Sequence, residues 1–116
     1  MNQRGARAED LCAERMRRAG LRIVARNWHC RHGEIDLIAD EAGVTVFAEV
    51  RLRKRGRFGG AAESITSAKR ARLIAAARHF LTGRRERVCR FDVMLLDETG
   101  PGRLEDIVWI RDAFGE

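Results

Sequence analysis

The sequence predicts an α/β fold in the order α-β-β-β-α-β-β, carried by one domain over residues 1–116. Three observations predict it. Apolar residues recur at helical spacing in two separate stretches, 6–19 and 64 or 67 to 81. Apolar segments of strand length follow each of them. Glycine-bearing polar clusters stand between the segments, where a chain must turn.

The first helix carries Ala8, Leu11, Cys12, Met16 and Ala19 on one stripe and stops at Gly20. Residues 21–28 suit a first strand centred on Ile23 and Val24. A turn through His32 and Gly33 leads into a second strand, 34–39. Asp40, Glu41, Ala42 and Gly43 read as a four-residue hairpin loop into a third strand, 44–51. Residues 52–60 are basic, glycine-bearing and without period, and read as an exposed loop. Thr66 or Ser67 caps the second helix, whose stripe is Leu73, Ile74, Ala77, Phe80 and Leu81 and whose stop is Gly83. Residues 88–96 form the strongest strand, interrupted only by Arg90 and Asp92. A turn at 97–102, with the single proline, precedes a short last strand at 104–110.

Composition narrows the function classes. The 116 residues are 45% hydrophobic and 34% charged, with a net charge of +6. That excess favours a polyanionic partner, most simply nucleic acid. No apolar run reaches the roughly 20 residues that cross a bilayer, and residues 1–20 lack a signal-peptide core, so a cytoplasmic protein without a membrane partner is expected. Cys12, Cys30 and Cys89 are odd in number and widely spaced, which fits a reducing compartment.

The chemistry gathers in Gly33-Glu34-Ile35-Asp36-Leu37-Ile38 and Phe47-Ala48-Glu49-Val50-Arg51. Strand side chains alternate, so Glu34 and Asp36 share one face and Glu49 and Arg51 share another. If Ala39 pairs with Val44, Asp36 falls opposite Phe47 and Glu34 opposite Glu49, and all four polar residues meet on one surface. Carboxylates so gathered repel one another unless a divalent cation binds them. The alternative is a solvated Glu49–Arg51 ion pair worth under about 1 kcal/mol.

At these residues the chain resembles the YraN-like family of small bacterial proteins. That family is assigned to the restriction-endonuclease-like, PD-(D/E)XK, superfamily and is similar to archaeal Holliday junction resolvases. The matching segments include Gly5-Ala6-Arg7-Ala8-Glu9, Arg26-Asn27-Trp28, the Gly33 to Ala39 and Val46 to Arg51 runs, Phe58-Gly59, Lys69 and Arg90-Phe91-Asp92-Val93. The resemblance implies a three-layer fold, a central mixed sheet flanked by helices. It implies a metal-dependent endonuclease hydrolysing phosphodiester bonds in branched or flapped DNA. Asp36 and Glu49 would ligate Mg²⁺ or Mn²⁺, with Glu9 as an extra acid on the first helix. The oligomeric state stays open, a homodimer being the form in which resolvase-like relatives work.

The chain departs from that pattern at Arg51, where the motif has lysine. A guanidinium keeps its proton at neutral pH and cannot be a general base, but it can steady transition-state charge. Three readings stay open: Arg51 acts electrostatically, Lys54 or Lys69 reaches the site instead, or the chain is a catalytically impaired nucleic-acid-binding protein. Arg53, Lys54, Arg55 and Arg57 beside the acids, with Lys69 and Arg72 on the second helix, are candidate phosphate contacts. His29, Cys30 and His32 lack a fourth neighbour and read as turn residues rather than a zinc site. Asp92 reads as a structural hydrogen bond to a helix end, and Trp28 and Trp109 as core or interface.

Overall fold

The computed structural model describes residues 3–54, 65–84, 88–100 and 103–115. Helix α1 (Gln3–Arg18) leads into strands β1 (Arg22–Cys30), β2 (Gly33–Glu41) and β3 (Val44–Lys54), which form an antiparallel meander. Helix α2 (Ser67–Leu81) lies on the path from β3 to β4 (Cys89–Gly100), which runs parallel to β3. Strand β5 (Arg103–Phe114) returns antiparallel to β4. The five strands lie in the sheet order β1-β2-β3-β4-β5, flanked among the described residues by the two helices. A parallel pair requires such a crossover, which explains why the helix falls between β3 and β4 in the chain.

Each helix closes one face of the sheet. Ala8, Cys12, Ala13 and Met16 of α1 bury themselves against Leu37, Ala39, Val46, Ala48, Met94 and Leu96. Leu73, Ala76, Ala77 and Phe80 of α2 do the same against Ile35, Ile38, Phe47 and Phe91 on the other face. Ile65, Val93 and Leu95 extend that second layer towards β5. Burying each large apolar side chain stabilises the fold by about 1.5–3 kcal/mol, so both helix stripes are held by packing more than by propensity. Thr66 caps α2 by accepting a hydrogen bond from the Lys69 N–H at 3.1 Å. No helix among the described residues is long and apolar enough to cross a membrane.

The elements differ from their sequence-derived bounds where cross-strand pairing outweighs local composition. The β2–β3 loop is not four residues long. Asp40 and Glu41 remain in the ladder, and Ala42 and Gly43 make the turn alone with φ of 49° and 90°. The hairpin register therefore sums two residues higher than expected: Ile38, not Asp36, stands opposite Phe47. Leu52, Arg53 and Lys54 belong to β3 through pairing with Leu96, Asp97 and Glu98, while residues 55–60 of the expected loop lie outside the described residues. Residues 97–100 are strand rather than turn, because Glu98 and Gly100 pair with Leu104 and Arg103. Strand β5 likewise continues beyond Ile110 to Phe114.

Candidate functional site

The site lies where the alternation of β2 breaks. Ile35 and Ile38 both pack under α2, although an odd spacing normally sends two side chains to opposite faces. On β1, Ala25 and Trp28 do the same. Between them sit Asp36 and Asn27, each at the position facing the other between the pairs Arg26↔Leu37 and Trp28↔Ile35. Asn27 makes the break with φ of 51°, a left-handed conformation that asparagine tolerates better than most residues. The two strands thus switch faces together without losing register.

On its other side β2 parts from β3. The last paired residues are Leu37 and Ala48, so Asp36 and Glu49 are the first across the opening. The Val50 N–H donates to Asp36 Oδ2 at 2.9 Å, so the side chain replaces the missing rung of the ladder. Glu49 is buried, with 5% exposure, across the opening from Asp36. Burial, followed by the charge of Asp36, pushes Glu49 up to about 7. Burial also raises Asp36, against the opposing Val50 hydrogen bond.

Two cations face this pair. Lys69 Nζ, from the first turn of α2, lies 3.6 Å from Glu49 Oε1. Arg51 Nη1 lies 4.0 Å from the same oxygen and is more exposed, 41% against 27%. The motif position therefore holds a rim arginine, while the nearer and better buried cation is a lysine from the helix. This is one of the three readings left open by the sequence, and the capped start of α2 is what aims it.

On the α1 side of the opening, Gly5, Ala8, Glu9, Glu34, Asp36, Val50 and Leu52 line a cleft of about 200 Å³. Glu9 is 2% exposed and accepts from Arg26 Nε at 3.4 Å, while Arg26 also grips Asp10. Burial and the nearby Asp36 raise the Glu9 carboxyl above its ordinary range despite Arg26. Burial, with Asp36 and Glu9, lifts the Cys12 thiol to about 12, so it is an inert packing group. Glu34 shares this cleft and bonds His29 Nε2 at 2.7 Å; the expected single surface of four polar residues is divided between the two sides of the opening, with Asp36 common to both. Among the described residues, no three His, Cys, Asp or Glu side chains close around one point.

Of the candidate phosphate contacts, Lys69 belongs to the acid pair and Arg72 lies at the β1–β2 turn, its Cβ 3.9 Å from where a side chain on Gly33 would begin. Arg55 and Arg57 lie outside the described residues, as do the side chains of Arg53 and Lys54. The His32 ring packs on His79, 5.7 Å between centroids, and Trp28 packs edge-on against Phe80 at 5.3 Å. Asp92 corrects a sequence expectation: among the described residues it binds no helix end. It accepts from Trp109 Nε1, the Asp112 N–H and Arg90, and locks β5 onto β4. The pairing of Asn27 with Asp36 had no signal in spacing, since a matched break in two strands leaves the register unchanged.

These features define a class: a mixed α/β protein whose polar chemistry is concentrated at a fork in its sheet. Within that class the chain belongs to the uncharacterised protein family UPF0102, whose model matches residues 8–96. It is 50% identical over 115 residues to a UPF0102 protein of Nitrosococcus oceani, covering 96% of this chain and 90% of that one. A UPF0102 protein of Dechloromonas aromatica is 48% identical over 111 residues, covering 96% and 88% of the two chains. One of Ralstonia nicotianae is 50% identical over 117 residues, covering 96% and 85%.

Proposed function

We propose that this chain is a metal-dependent endonuclease of the restriction-endonuclease-like, PD-(D/E)XK type, hydrolysing phosphodiester bonds in branched or flapped DNA. One observation carries the reading: Asp36 and the buried Glu49 face each other across the opening of the sheet, with the Lys69 amine 3.6 Å from Glu49. Structural ion pairs seldom bury two acids against each other, because the repulsion costs stability. Functional sites accept that cost.

The donor set suits a divalent cation. Mg²⁺ is commonly held by one or two carboxylates and completes its shell with water. Asp36 and Glu49 supply those hard oxygens, and a cation between them would offset the burial and repulsion that raise both carboxyls. When bound, such an ion polarises the phosphate and lowers the pKa of a bound water. The chain's own residues do the rest. The Val50 N–H fixes the Asp36 carboxylate. Lys69 holds positive charge beside the reacting phosphate, and its amine can pass a proton as a guanidinium cannot. Arg51 on the rim and Arg72 by the β1–β2 turn meet flanking phosphates.

The test is cleavage of branched, flapped and linear DNA with Mg²⁺ or Mn²⁺. Asp36→Ala and Lys69→Ala should each lower the rate at least about 100-fold, the lower range for a positioned acid–base group. Equal activity in wild type and Asp36→Ala would reject the mechanism. A second reading is favoured by Arg51 at the motif position: a protein that binds nucleic acid without turnover. Activity appearing only in Arg51→Lys selects it.

A further inference from the structure

Asn27 carries two costs that the fold does not repay. Its backbone is held at φ of 51°, and its side-chain Oδ1 is enclosed without a hydrogen-bond partner among the described residues. It is the single such buried side-chain atom among them. An unpaired buried carbonyl is expensive, and in native proteins it points to a missing water or ion. A residue held in an unusual conformation marks the same kind of place.

Its position says which place. Asn27 falls opposite Asp36 in the unpaired step between Arg26↔Leu37 and Trp28↔Ile35, where both strands switch faces. Opposed positions of a ladder start their side chains about 4.5–5.5 Å apart, which puts Asn27 beside Asp36. Neighbouring Arg26 is engaged with Glu9 and Asp10, and Trp28 with Phe80.

We infer that Asn27 is a positioning residue for the cation site: its Oδ1 accepts a hydrogen bond from a water in the shell of an ion held by Asp36 and Glu49. The inference rests on the proposed function and deepens it by assigning a second layer to the site. Groups that orient a metal's shell typically change its affinity by about 10–100-fold when removed. They do so without touching the ion.

The decisive variant is Asn27→Gly. Glycine adopts φ of 51° freely and has no orphaned oxygen, so the ion-free fold loses a strain and a desolvated group together. In EDTA its Tm should equal or exceed that of the parent. Calorimetric titration with Mn²⁺ alone should show affinity about 10–100-fold weaker. Asn27→Asp keeps the acceptor oxygen and tolerates the same backbone, and should bind Mn²⁺ at least as tightly as the parent. Unchanged Mn²⁺ affinity in Asn27→Gly overturns the inference, as does a lowered Tm in EDTA, which makes the residue structural. Absence of Mn²⁺ binding by the parent chain removes the cation site itself, a separate outcome from either.

Discussion

Glu49 shows how one residue ties stability to function. Its carboxyl is pushed up to about 7 by burial and by Asp36, whereas a solvated glutamate titrates near 4.5. A carboxyl whose folded-state pKa lies above its unfolded value favours folding in its protonated form. That stability is present below pH 4.5 and is lost as pH rises through about 7. In EDTA the Tm should therefore fall across this window, and Glu49→Gln should flatten the fall. For a small domain each kcal/mol corresponds to about 4–8 °C, so differential scanning fluorimetry resolves the effect. A profile identical in parent and variant would show that Glu49 is not strained. The sequence disclosed that Asp36 and Glu49 belong together, because strand alternation and hairpin pairing survive a two-residue change of register. It did not disclose which cation faces them: Arg51 and Lys69 are 18 positions apart, and only tertiary packing brings the lysine in.

At the scale of elements, the β2–β3 hairpin teaches most about what a local pattern leaves out. A run of Asp, Glu, Ala and Gly looks like a turn throughout, yet Asp40 and Glu41 pair with Thr45 and Val44. Only Ala42 and Gly43 leave the ladder, both at positive φ, the form in which a two-residue hairpin matches strand twist. Alanine is a poor residue at φ of 49°. Ala42→Asn should stabilise the chain by about 1 kcal/mol, the lower end of the left-handed penalty. Chemical denaturation measures it; a loss of stability would contradict the turn geometry. The helices were more legible, since their stripes are set by burial alone: Leu73, Ala77 and Phe80 are buried as their spacing requires. The lengths of β4 and β5 were not, because residues 97–100 owe their strand conformation to partners at 103–105 and carry little signal of their own.

Among the described residues, two helices, one on each face, close the sheet while the strands diverge at one rung. That rung concentrates the costs: a positive φ at Asn27, an orphaned oxygen beside it, and two acids buried against each other. At the opposite end of the sheet, Glu41, Arg90, Asp92, Trp109 and Arg111 are linked by hydrogen bonds. Backbone strain also occurs at Ala42 and Asp112, but among the described residues only this rung joins it to an unpartnered carbonyl and two buried acids, the kind of local inconsistency a functional site shows. The measurement that tests the account most directly is anomalous diffraction from crystals of the chain soaked in Mn²⁺. A peak at coordination distance from both Asp36 and Glu49, about 2.0–2.3 Å for a small hard cation, is the result predicted. A map empty at that pair, or a peak only elsewhere on the surface, would contradict it.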